Sequence, residues 1–232
     1  MVGPHARKIK WAWLSATGTE AEAIRAEYEV GLDLAREIRK QLTADHEPDA
    51  KELLDEIGAR LSGRVANKLR RFSFEAVRGG TPNAFALPGG FIFVTRSLIE
   101  LCEWNRDEIA FILAHEMSHA IRGHAMERIV NSSAIALGAK AAPAAGLIGG
   151  WLQKVGVKFL QSAYSQDMEM EADTLAMLLV GAAGYDARSA IQMLSRLAKI
   201  NPAADPAGFD AYFSSHPPFE LRIENAKNVL RQ

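Results

Sequence analysis

The 232-residue chain is 48% hydrophobic and 24% charged, enough apolar material for one large globular domain or a domain with a helical extension. Its formal net charge is -1 and no long block of Lys and Arg is interleaved with aromatics, which excludes the electrostatic footprint of a nucleic-acid binder. Cys102 is the only cysteine, so an intrachain disulfide, a redox pair and a thiolate metal site are all excluded, and any metal must take histidine and carboxylate ligands.

The first residues, MVGPHARKIKWAWLSATG, are positively charged but too sparsely apolar for a secretory core or a membrane span. The expectation is a soluble protein, cytoplasmic, or periplasmic if the numbering begins after a removed leader. Residues 19 to 42 place Ile24, Tyr28, Leu32, Ala35, Ile38 and Leu42 at three- and four-residue steps, one buried helical face. Residues 1 to 44 therefore read as a helical extension, with the main domain over 45 to 232. Asp49 with Glu52 resembles a capping box, and Leu53, Leu54, Ile57, Leu61, Val65 and Leu69 continue as an apolar stripe.

Phe72, Phe74 and Ala76 then alternate with polar partners up to the breakers Gly79, Gly80 and Pro82, the period of a strand. Residues 83 to 87 and 91 to 94 are β-prone runs flanking Pro88-Gly89-Gly90, which predicts a hairpin. A helix follows from about Asp107 to His124, capped by Asn105 with Glu108 three residues on. The Ala/Gly-rich residues 131 to 150 are too broken for a spanning helix and read equally as a flexible insert or a packed hairpin. Further helices are predicted over 161 to 180, from a cap at Asp186 to about Ile200, and over 219 to 230, with a loop at 201 to 218.

The pentapeptide His115-Glu116-Met117-Ser118-His119 places two imidazoles one helical turn apart, about 40° around the axis, so both can reach one ion. Glu116 projects beside that ion, where a carboxylate can take a proton from water that the metal acidifies. Alone, HExxH arises by chance in about one sequence in a hundred of this composition, so a third ligand is what makes it specific. Glu169 and Asp173 supply it: four apart on a downstream helix, they let Glu169 bind metal while Asp173 accepts a hydrogen bond from a ligand imidazole. Glu171 points away and is the weaker ligand. His124, about 180° around the helix from His115, cannot share the ion without a break and reads as structural or exposed. His5 and His46 carry no assignment. His216 opens a proline-stiffened HPPF loop, from which it can assist an oxyanion or fill the open coordination position.

Five ordered segments, NAFALPGGFIFVTRSLI, HEMSHAIRGH, EMEADTLA, GYDARSAI and SSHPPFELRI, resemble the gluzincin metallopeptidases grouped with the CaaX prenyl protease, HtpX and BepA. The resemblance covers roughly residues 45 to 232. It implies one zinc ion per chain on His115, His119 and Glu169, Glu116 as base, and Asp173 and Arg222 as supports. It further implies that Asn83, Ala84, Phe85 and Ala86 offer backbone groups to an extended polypeptide substrate, and that His216 either assists catalysis or holds the enzyme shut. HtpX and the prenyl proteases carry membrane-spanning helices that this sequence lacks, a departure that favours a BepA-like arrangement over a CaaX substrate. Residues 129 to 152 resemble an apolar insert of BepA-like members that covers the cleft or touches a membrane surface, the latter through residues 131 to 150.

The expected fold is a mostly helical α+β domain with a small antiparallel sheet beside the HExxH helix. The expected function is a zinc-dependent endopeptidase acting on extended or unfolded chains. The alternative is a latent, chaperone-like or membrane-associated zinc module whose open metal position is blocked by His216. The sequence leaves the oligomeric state undefined.

Overall fold

The structure, a computed structural model, describes residues 18–79, 82–128, 164–199 and 219–231. His5, His216 and the Ala/Gly-rich insert lie outside the described residues.

Helix α1 (Glu20–Arg39) begins at a complete capping box: Thr19 Oγ1 accepts the Glu22 N–H, and the Glu22 carboxylate accepts the Thr19 N–H. Its buried stripe runs through Ile24, Glu27, Val30, Leu34, Ala35 and Ile38, with Tyr28 and Leu32 on the flank. After strand β1 (Thr43–Ala44), helix α2 (Pro48–Ser62) starts on a proline rather than on the expected Asp49–Glu52 box. Pro48 occupies the first helical position, where its missing N–H costs nothing. Asp49 lies two residues past the cap position, held by Glu47, and binds Arg96 instead, at 2.6 Å. The helix ends at Ser62, so Val65 is buried beyond it and Leu69 is left 48% exposed.

Strands β2 (Ser73–Arg78), β3 (Ala84–Leu87) and β4 (Phe91–Thr95) complete a sheet of order β1-β2-β4-β3. The hairpin β3–β4 is antiparallel as expected, but β2 and β4 are parallel, so the sheet is mixed rather than antiparallel. The chain leaves β2, lays β3 down at the far edge, and returns between them in the direction of β2. A period of two fixes which side chains share a face; it does not fix which strand lies alongside.

Each face of the sheet has its own core. Ala76, Ala84, Ala86, Ile92 and Val94 join the main core with α2 and the helices described next. Val77, Phe85, Leu87, Phe91 and Phe93 lie under α1, packed on Val30, Leu34, Ala35 and Ile38. Each such large side chain, fully buried, contributes about 1.5–3 kcal/mol of transfer free energy. Helix α1 crosses the Pro88–Gly90 turn so closely that a Cβ on Gly31 would sit 1.7 Å from the Pro88 carbonyl oxygen. Beside that crossing, buried Glu27 accepts the Gly89 N–H at 3.2 Å and meets Arg70, which donates to the Ala120 carbonyl at 2.9 Å.

The remaining helices of the described residues are α3 (Arg96–Leu101), α4 (Arg106–Ile121), α5 (Gln166–Ala182), α6 (Ser189–Ala198) and α7 (Phe219–Val229). Asn105 caps α4 by accepting the N–H groups of Asp107 and Glu108. From Glu108 to Ala120 every residue of α4 is buried, which makes it the central helix. Arg196 of α6 binds buried Glu108 at 3.1 Å and pins the start of that helix. Asp186 does not cap α6: its carboxylate accepts the Arg188 N–H inside the preceding turn, and Arg188 takes the cap position. Among the described residues no helix is long and apolar enough to cross a membrane.

Candidate metal centre

Four-residue spacing on α4 brings His115 Nε2 within 3.1 Å of His119 Nε2. Helix α5 packs across them and inserts Glu169, whose carboxylate oxygens lie 3.6 Å from His115 Nε2 and 3.3 Å from His119 Nε2. All three side chains are at most 1% exposed. A tetrahedral ion with bonds of about 2.0–2.1 Å separates its ligand atoms by about 3.3 Å, close to the 3.1 Å between the imidazoles and the 3.3 Å from His119 to the nearer Glu169 oxygen, so the cluster fits zinc in spacing as well as in donor type. It is the one group of three potential ligands that the described residues assemble within bonding range.

Behind the triangle, Asp173 Oδ1 lies 2.9 Å from His115 Nδ1, one helical turn after Glu169. This contact holds the His115 proton on Nδ1 and leaves the Nε2 lone pair facing the centre. Arg222, delivered by α7, is 1% exposed. Its Nε and Nη2 donate to Asp173 at 2.7 and 2.8 Å, and its Nη1 lies 2.9 Å from Glu169. Burial by itself would raise the Asp173 carboxyl, but the Arg222 charge and hydrogen bonds, with the His115 N–H, bring it down to about 2. Burial and Arg222 also press the His115 pKa down; the hydrogen bond and charge of Asp173, with Glu169, outweigh them and raise it.

Glu116 follows His115 on α4 and is 1% exposed. Tyr164 stacks on the His119 ring at 3.9 Å between centroids, a contact with no signal in the sequence. Strand β3 is the sheet edge. Asn83 spends its main chain on Thr95, accepting the Thr95 N–H at 2.9 Å and donating to Thr95 Oγ1 at 2.8 Å. Antiparallel alternation then turns Phe85 and Leu87 toward β4, and Ala84 and Ala86 outward. Of the four residues expected to offer backbone groups, only those two alanines turn them away from β4, toward the side of β3 where no other described strand lies.

His124 departs most from expectation. Helix α4 ends at Ile121, Gly123 adopts a positive φ of 75°, and the chain folds back so that His124 Nδ1 lies 3.0 Å from His119 Nδ1. Its Nε2 lies 3.3 Å from Glu171, which also binds Arg122 at 3.0 Å. A glycine just after the last periodic residue is the cue that would have ended the helix early. His46 is exposed and apart from the site.

The sequence profile of Peptidase family M48 matches residues 48–230. The chain is 30% identical over 161 residues to the mitochondrial metalloendopeptidase OMA1 of Schizosaccharomyces pombe, covering 69% of this chain and 47% of that protein. It is 31% identical over 162 residues to the protein of the same name from Saccharomyces cerevisiae, covering 65% and 44%. It is 25% identical over 221 residues to the beta-barrel assembly-enhancing protease of Escherichia coli, covering 90% and 45%. The chain thus spans less than half the length of each of these relatives. The profile takes in α4, α5 and strands β2 to β4, and the chain belongs to Peptidase family M48.

Proposed function

We propose that this chain is a zinc-dependent endopeptidase for extended or unfolded polypeptides, holding one zinc ion per chain on His115, His119 and Glu169. The observation that carries the proposal is the buried cluster in which His119 Nε2 lies 3.1 Å from His115 Nε2 and 3.3 Å from Glu169 Oε1, with Glu169 Oε2 3.6 Å from His115 Nε2 and Glu116 on the same helix. A zinc ion bound there supplies Lewis acidity, which acidifies water and polarises the scissile carbonyl.

The remaining work falls to the protein. Glu116 takes the proton of the attacking water and returns it to the leaving amine. Asp173, held by Arg222, fixes the His115 ring. Ala84 and Ala86 pair with the main chain of an extended substrate, which gives affinity with little sequence selectivity. His216 is assigned to the oxyanion by its place in the HPPF segment alone.

The test is Glu116→Gln, with zinc content and cleavage of unfolded casein measured together. Retained zinc with cleavage lowered by about 100-fold or more is expected. Turnover equal to that of the unsubstituted chain would remove Glu116 from the chemistry.

A further inference from the structure

We infer that His124 is a positioning residue for His119, the first link of a hydrogen-bonded chain that runs from the metal centre to solvent through Glu171 and Arg122. The inference rests on reading His119 as a metal ligand.

One condition fixes every donor along this chain. If His119 Nε2 keeps its lone pair for a cation, the ring proton sits on Nδ1 and must be donated. The atom 3.0 Å away is His124 Nδ1, which therefore accepts and carries its own proton on Nε2. Glu171 Oε2, an acceptor with no proton to give, lies 3.3 Å from that nitrogen. Arg122 Nε, 3.0 Å from the other Glu171 oxygen, holds that carboxylate in place. Reversing the imidazole pair would put a proton on His119 Nε2 and close the ligand position.

Each ligand histidine thus ends on a carboxylate–arginine pair, by two different routes. His115 reaches Asp173 and Arg222 directly, and that route is fully buried. His119 faces away from that pair, and one imidazole spans the gap to Glu171 and Arg122, which are about half exposed. The span depends on Gly123: a helix continued through residue 124 would carry this ring round to the far side. A Cβ at Gly123 would meet nothing within 4 Å, so its backbone conformation, not space, selects glycine there. Residues 169, 171 and 173 of α5 then serve the centre in turn, as ligand, long support and short support.

The experiment measures zinc affinity of the full chain by chelator competition, with circular dichroism of each metal-free variant as the fold control. His124→Leu removes the acceptor and is expected to weaken zinc binding by about 10- to 100-fold. His124→Asn keeps an acceptor oxygen near the Nδ1 position and is expected to recover most of that loss. Glu171→Leu, outside the core, is expected to weaken binding in the same direction even if His124→Leu does not fold. Equal losses in the leucine and asparagine variants of His124 would make it a packing residue and overturn the inference. Unchanged affinity in Glu171→Leu would overturn it too. If the unsubstituted chain binds no zinc, the reading of His119 fails first.

Discussion

Arg222 Nη1 lies 2.9 Å from Glu169 Oε2, while the rest of the same guanidinium forks onto Asp173. One buried cation is therefore shared by two buried carboxylates. Removing one partner of such a cluster leaves uncompensated charge in a low-dielectric interior and costs about 3–5 kcal/mol. Arg222→Ala should therefore lower the denaturant stability of the metal-free chain by about that amount, and added zinc should restore part of it by engaging Glu169. Arg222→Lys should rescue little, because a point charge cannot reproduce the planar fork. Metal-free stability of Arg222→Ala equal to that of the original chain would show that the guanidinium does not balance these carboxylates.

The contact between α1 and the Pro88–Gly90 turn is main chain against main chain. A Cβ at Gly31 would lie 1.7 Å from the Pro88 oxygen, a clash no rotamer relieves, whereas one at Gly181 near the end of α5 would meet nothing within 4 Å. The same substitution should therefore have opposite signs at the two positions. Gly31→Ala forces α1 off the sheet and should cost about 1–3 kcal/mol, a drop in melting temperature of roughly 2–12 °C. Gly181→Ala should gain about 0.5–1 kcal/mol by reducing the freedom of the unfolded chain. Thermal melts of the two variants decide it, and loss of stability in both would mean that the approach at Gly31 is not the cause.

The parts of the site that lie on one helix were legible as periodicity. His115 with His119, and Glu169 with Asp173, are each four apart, so a helix alone sets their common face. The hairpin was legible because Pro88-Gly89-Gly90 interrupts two β-prone runs. Arg222 was legible only through the resemblance: no periodicity marks it, and the packing of α7 against α5 is what makes it a buried counter-ion. The parallel pairing of β2 with β4 is likewise a tertiary choice, made by laying β3 at the edge. His124 was misplaced for a local reason, because the helical pattern was carried through Gly123 as though that residue did not end it.

Glu27 gives a pH dependence whose sign can be worked out. Burial raises its carboxyl above the ordinary value, and the opposing Arg70 charge and Gly89 N–H only partly offset that rise. The folded chain therefore binds this proton more readily than the unfolded chain. The stability contributed by the proton is complete below the unfolded value near 4.5 and is lost as pH rises through the folded value. Glu27→Gln keeps an acceptor for Gly89 and cannot ionise. It should match the original chain near pH 4 and exceed it at neutral pH in urea unfolding. A variant weaker than the original at neutral pH would show that the Arg70 ion pair outweighs the burial.

The outer edge of β3 offers a test of how substrate is held, separate from the chemistry at the metal. Ala84 is the first residue of an edge strand and its N–H points away from β4, the setting in which a sheet tolerates proline. Ala84→Pro therefore deletes one outward donor and leaves the ladder intact. Losing one net hydrogen bond of about 0.5–1.5 kcal/mol should lower kcat/KM for unfolded casein by roughly 2- to 12-fold, with zinc content and melting temperature preserved. Phe85→Pro is the contrast. It removes a donor that faces β4 and the stack of Phe85 on Phe93, 5.2 Å between ring centroids, so it should destabilise the fold itself. Full activity in a folded Ala84→Pro variant would mean that the substrate does not pair with this strand at Ala84.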